Sequence, residues 1–270
     1  LVLPPIIGLP VVLYMVWKKN HPKYSDYLLL MACIAIYLGS INATKQPSGD
    51  QVNYYVAYMN VPVIGFLKSL IYIYGADYFV DSGKVNISGE FMNGVYNYFG
   101  YYLTFGYYPL FAALYTFVEY LMIYLGLYKV FRKAQMPKYP IVCGVLTLSF
   151  FYLFFQYTLQ IQKQFFAQAI MMYVLGSYAE KGKMTIRLWL IALCSILTHA
   201  STGLFLPFLL LKPLRGRLNK KWMAFIALML FAFILYGPRM AENVAAEDSG
   251  VAGYGMKRFA ESEGQADLAS

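Results

Sequence analysis

Tyr107–Phe131 reads YYPLFAALYTFVEYLMIYLGLYKVF, and the length of this run decides the fold. As a helix it is long enough to cross the roughly 30 Å of hydrocarbon in a bilayer at about 1.5 Å per residue. It holds one acidic side chain, Glu119, near its middle. It closes on Lys129, with Arg132, Lys133 and Lys138 following. An apolar run that ends in a basic cluster has the signature of a helix emerging on the cytoplasmic side of a membrane.

The neighbouring sequence repeats the pattern. Apolar blocks occupy Leu1–Trp17, Tyr27–Ala43, Ile141–Gln160, Phe165–Ala179 and Trp222–Tyr236. Across the chain 60% of residues are hydrophobic and 13% charged, against about a quarter charged in soluble domains. The net charge of +9 sits between apolar blocks and not in one patch, so it reads as topology, and nucleic acid is not an expected partner. Cys33, Cys143 and Cys194 all lie inside apolar runs without ligand spacing, and read as small hydrophobes with no metal or disulfide role. The expected fold is therefore an all-α integral membrane protein, a polytopic helical bundle in contact with the lipid bilayer.

Residues 1–236 read as a single transmembrane domain, and 237–270 as a polar, acidic tail expected on the outside. With no initiator Met and no cleavage site after Trp17, both ends read as incomplete. An outer, aromatic-rich loop with interfacial helices is expected at about 44–106. Within it, Val61–Gly75 is apolar but interrupted by Lys68, which suits an interfacial or re-entrant helix. Residues 50–108 hold 12 of the 27 tyrosines, a clustering that suits a membrane-surface cap or a carbohydrate groove.

Leu188–Leu211 has the length of one crossing. A single crossing would put Lys212, Arg215, Arg217, Lys220 and Lys221 outside, against the charge rule. Two half-helices meeting at Thr198-His199-Ala200-Ser201-Thr202-Gly203 return the chain instead, and leave 15 of the 22 Lys and Arg residues in cytoplasmic loops. Broken helices at membrane depth line protein-buried or wet cavities, so this reading also marks a site.

Ionisable groups within apolar runs are costly, and a functional role is their default reading. Glu119 must face a cavity, pair with a cation or hold a proton. Lys163 stands in Gln160-Ile161-Gln162-Lys163-Gln164, where amides crowd a lone cation, an arrangement suited to an anion or a sugar. His199 stands at the helix break and can donate to a phosphate or remove a hydroxyl proton. Asp50 follows Pro47-Ser48-Gly49 in the first outer loop, where a carboxylate either shapes a turn or has a functional role. No cluster of Asp, Glu and His has metal-ligand spacing, so neither metal nor cofactor is expected.

In order, Gly49-Asp50-Gln51-Val52-Asn53-Tyr54-Tyr55, Tyr107-Tyr108-Pro109-Leu110-Phe111, Lys163-Gln164-Phe165-Phe166-Ala167 and Thr198-His199-Ala200-Ser201 resemble the motifs of the EpsG family of bacterial exopolysaccharide polymerases, which belong with the Wzy-type polymerases. The likeness covers about residues 25–235. Two positions depart from it, since Lys163 stands where the family has Arg and Thr198 where Phe is usual. Lys keeps the charge without the bidentate fork.

The resemblance implies a metal-independent glycosyltransferase of the bacterial inner membrane, multi-pass, that joins undecaprenyl-diphosphate-linked oligosaccharide repeats at the outer face. A chain-length regulator is a further partner of such enzymes. It implies His199 and Asp50 as catalytic residues, and Lys163, Gln164, Gln160, Glu119, Tyr54 and Tyr108 at the substrate. A flippase of lipid-linked sugars, a membrane acyltransferase acting on polysaccharide and a purely structural subunit are the alternatives. The visible absence of an internal repeat counts against the flippase, and the scarcity of histidines against the acyltransferase.

Overall fold

The computed structural model describes residues 5–48, 50–71, 91–210 and 228, and among these there are helices and no strand. In chain order the helices are α1 (Pro5–Lys18), α2 (Tyr24–Thr44), α3 (Asp50–Met59), α4 (Val61–Ile71), α5 (Phe91–Leu103), α6 (Tyr108–Lys133), α7 (Lys138–Phe150), α8 (Tyr152–Gln160), α9 (Gln162–Lys181), α10 (Ile186–Thr198) and α11 (Leu206–Leu210), with a 3-10 helix at Ala200–Phe205 before the last. Two of them, α2 and α6, are long and apolar enough to cross a membrane. Leu1–Leu209 forms one unit and Leu210–Ser270 a second. Of the expected span Trp222–Tyr236 only Leu228 is among the described residues, and the tail 237–270 lies outside them.

Local chemistry sets the helix ends. Pro109 enters α6 in its first turn, where its missing N–H is not needed. Arg132 and Lys133 close that helix against its negative end. At the start of α2 the Asp26 carboxylate accepts from the Lys23 backbone N–H at 2.7 Å and pairs with Lys19 at 2.6 Å. Helix α9 stops at Gly182, whose φ of 71° suits a residue without Cβ. The Thr185 hydroxyl then accepts from the Leu188 N–H to open α10.

Helix α6 is the centre of the bundle, with α2 and α9 as its main neighbours. Against α2 it runs antiparallel. Asn42 Nδ2 donates to Thr116 Oγ1 at 2.9 Å near one end, and Tyr27 meets Tyr128 at 5.4 Å near the other. Against α9 it runs parallel, through Tyr115–Phe166 at 4.2 Å, Lys129 Nζ to Ser177 Oγ at 2.6 Å and Arg132–Glu180 at 3.3 Å. Gly126 and Gly176 let the two backbones touch, since a Cβ on Gly176 would strike the Gly126 carbonyl. Along a third side run α7 and α8, with Tyr124 bonded to Ser149 at 2.5 Å and Tyr120 to Thr158 at 3.2 Å.

These registers give the bundle two chemically different ends. One gathers Lys18, Lys19, Lys23, Arg132, Lys133, Lys138 and Lys181, and there Lys138 Nζ donates to the Trp17 and Lys19 carbonyls at 2.6 and 2.7 Å. The other is aromatic, built from α3, α5 and the start of α6. Polar side chains such as Thr116, Glu119, Thr158, Ser195 and Thr198 are buried, whereas Leu29, Leu110, Leu190 and Leu193 are exposed on α2, α6 and α10.

Two of the long apolar runs are broken helices. Ile141–Gln160, expected as one crossing, divides at Phe151 into α7 and α8. Two residues before the break, the Ser149 hydroxyl donates to the Val145 carbonyl at 2.5 Å, a back-bond that bends helices. In Leu188–Leu211, α10 ends at Thr198, and His199 takes extended angles (φ −156°, ψ 125°) before the 3-10 turn.

Candidate functional site

Ile161 (φ −105°, ψ 50°) separates α8 from α9 at the aromatic end. Gln162 is buried in the first turn of α9, while Lys163 and Gln164 are half-buried. Because Gly182–Thr185 is a short connection, α10 runs back antiparallel beside α9. Ser195 Oγ donates to the Ala167 carbonyl at 2.7 Å and fixes their register. Lys163 lies one turn before Ala167 and His199 one turn after Ser195. The register therefore sets the cation and the imidazole at one level on neighbouring helices.

The break at His199 is held by its own side chain. Nδ1 accepts from the Ser201 backbone N–H at 3.3 Å and lies 2.8 Å from Ser201 Oγ. A backbone N–H can only donate, so neutral His199 carries its ring proton on Nε2. Thr202 Oγ1 donates to the His199 carbonyl at 3.0 Å and ties down the following turn. Thr198 is buried, donates to the Cys194 carbonyl at 2.7 Å and meets the Tyr96 phenol at 3.2 Å. Thr198 thus docks α5 onto the end of α10.

Around and below this level lies an aromatic wall. Phe166 packs on Tyr115 and, at 5.1 Å, on Tyr96. Tyr58 stacks on Phe111 at 4.7 Å and bonds Thr104 Oγ1 at 2.5 Å. Burial pushes the Tyr58 and Tyr96 phenols above their ordinary range, with their threonine bonds opposing in part. Both are neutral at physiological pH and remain able to donate. Three groups in the same wall are buried without a hydrogen-bond partner among the described residues: Tyr115 OH, both Glu119 oxygens and Gln162 Oε1. Tyr115 lies within electrostatic range of Glu119, Tyr54, Tyr96 and Tyr108.

Of the residues expected to act, Lys163, Gln164 and His199 share the level described. Tyr54 and Tyr108 are buried; Tyr108 is ringed by Tyr55 at 4.9 Å, Tyr58 at 5.4 Å and Phe111 at 6.1 Å. A sugar platform needs an open ring face, and at this end Tyr55, Phe99, Tyr102, Phe105 and Tyr107 offer more exposure. Glu119 makes no bond to Lys163 or His199, because its oxygens have no partner among the described residues and it sits about two turns deeper on α6 than the level of α9's first turn. Asp50 opens α3; its side chain and that of Gln160 lie outside the described residues. Gln51, beside Asp50, donates to Asn42 Oδ1 at 3.4 Å and so tethers α3 to α2.

Sequence reading passes over Tyr96 and Tyr115, and sees Gln162 only as one of the amides around Lys163. The i, i+4 spacing of Tyr115 and Glu119 was the available signal for one of them. No family model, no curated protein and no solved structure matches this chain.

Proposed function

We propose that this chain is a multi-pass protein of the bacterial inner membrane that polymerises undecaprenyl-diphosphate-linked oligosaccharide repeats at the outer face. The observation that carries the reading is the Ser195–Ala167 register, which sets Lys163 level with the His199 break at the end remote from the basic cluster. The exposed leucines and buried polar groups of the bundle support a lipid surrounding.

In the proposed reaction the anomeric C–O bond to the donor's diphosphate breaks. A hydroxyl oxygen of the next lipid-linked repeat forms the new bond to that carbon, and its proton passes to a base. The diphosphate is already a good leaving group, so the protein supplies charge and deprotonation. Lys163 holds the departing diphosphate. His199 donates to a phosphate oxygen or takes the acceptor proton, with Asp50 as the alternative base. Gln164, Gln160 and the exposed tyrosines of the aromatic end contact sugar.

The test is the polymer ladder of cells carrying Lys163→Ala or His199→Ala, with membrane protein level measured alongside. Loss of one charge-stabilising donor is expected to lower polymer formation by about 100-fold or more, with single lipid-linked repeats accumulating outside. Accumulation inside would point to a flippase, and an unchanged ladder in both variants would remove the site.

A further inference from the structure

Pro10, Leu13, Tyr14 and Trp17 recur at i, i+3, i+4 and i+7 and so form one stripe of α1. With Leu146 of α7 this stripe lines an open apolar groove of about 410 Å³. It extends along roughly 10 Å of the helix axis and ends at the basic end of the bundle. There Trp17 packs edge-on against Tyr139 at 4.8 Å, the aromatic pairing found where a membrane meets water. Lys18 Nζ lies 5.7 Å from the centroid of the Tyr14 ring, over the groove's own wall. Lys138 Nζ spends two of its three N–H donors on the Trp17 and Lys19 carbonyls and stands over the Tyr139 ring at 5.1 Å. Lys19 is already neutralised by Asp26 at 2.6 Å. Lys18 and Lys138 are therefore the charges at the mouth that no carboxylate among the described residues offsets.

We infer that this groove is a binding site for an anionic phospholipid of the leaflet at the basic end, with an acyl chain along Pro10–Trp17 and the phosphate at Lys18 and Lys138. Charge complementarity selects the occupant. An open apolar groove alone takes any lipid tail, whereas two lysines at its mouth, one with a donor left over, favour a negative headgroup over a zwitterionic one. The inference rests on the membrane reading above and is independent of the polymerase reading, because the groove lies at the opposite end from Lys163 and His199.

The test uses the full chain in lipid nanodiscs, with tryptophan emission quenched by brominated-acyl phosphatidylglycerol or by brominated-acyl phosphatidylcholine at equal mole fraction. The Trp17 signal is isolated by comparison with Trp17→Phe. Preferential quenching by the phosphatidylglycerol is expected, with an apparent preference of about fivefold per lysine engaged. Lys18→Gln combined with Lys138→Gln should abolish the preference, while the amide introduced by the second substitution can still donate to the Trp17 carbonyl. Equal quenching by both lipids in the wild type would overturn the charged site. Quenching of Trp189 and Trp222 but not of Trp17 would overturn it too, by showing the groove covered by a second copy or by the chain itself. A protein whose tryptophans escape every brominated lipid would sink the membrane reading instead.

Discussion

Glu119 is fully buried, and neither of its oxygens meets a donor among the described residues. A buried hydrogen-bonded carboxylate is hard to replace because its partners are left behind. Here no described partner would be left, so Glu119→Gln should change stability by less than about 1 kcal/mol, read as the thermal unfolding midpoint in detergent. Glu119→Leu should be neutral or stabilising. A loss of polymer in Glu119→Gln with the midpoint unchanged would place the carboxyl in substrate handling. A large fall in the midpoint would instead reveal a bonded partner. At this scale the sequence was legible where charge stands out against apolar neighbours: Lys163, His199 and Glu119 were all marked as candidates that way. Tyr96 and Tyr115 were not, because in a chain with 27 tyrosines residue type alone does not separate a phenol at a site from one in packing.

Among the elements, the parallel contact of α6 and α9 determines where Lys163 stands. Gly126 and Gly176 meet across it, and a Cβ at Gly126 would come within 2.5 Å of the Met172 carbonyl. Backbone cannot give way as a flexible side chain can, so Gly126→Ala or Gly176→Ala should cost about 1–3 kcal/mol through overpacking. Gly203→Ala meets nothing within 4 Å and serves as the control, with an expected change of roughly a few tenths of a kcal/mol. Equal midpoints for Gly176→Ala and Gly203→Ala would mean that the helices are not in backbone contact. Long apolar runs gave away α2 and α6, and the charge rule pointed to the break at His199. The break at Phe151 was hidden, since apolar residues continue on both sides of it and its marker, the Ser149 back-bond, is invisible to hydropathy.

For the whole molecule, orientation is the property on which every chemical assignment depends. Positive charge gathers where α1, α6 and α9 end and α2 and α7 begin, and the charge rule assigns that end to the cytoplasm. Single cysteines introduced at exposed positions, in a background lacking Cys33, Cys143 and Cys194, read the orientation directly. Ser48→Cys, between α2 and α3, should react with a membrane-impermeant maleimide in intact spheroplasts. Lys183→Cys, between α9 and α10, and Met136→Cys, between α6 and α7, should react only after lysis. Hydropathy alone could not make this assignment, because it is symmetric about the bilayer midplane; the asymmetry comes from the lysines and arginines. The reverse labelling pattern would carry Lys163 and His199 to the cytoplasmic face, away from the outer face on which the proposed joining takes place. The polymerase reading would then fall even if both residues proved essential. The expected pattern would leave the Lys163–His199 level on the outer face, where the proposed polymerisation takes place.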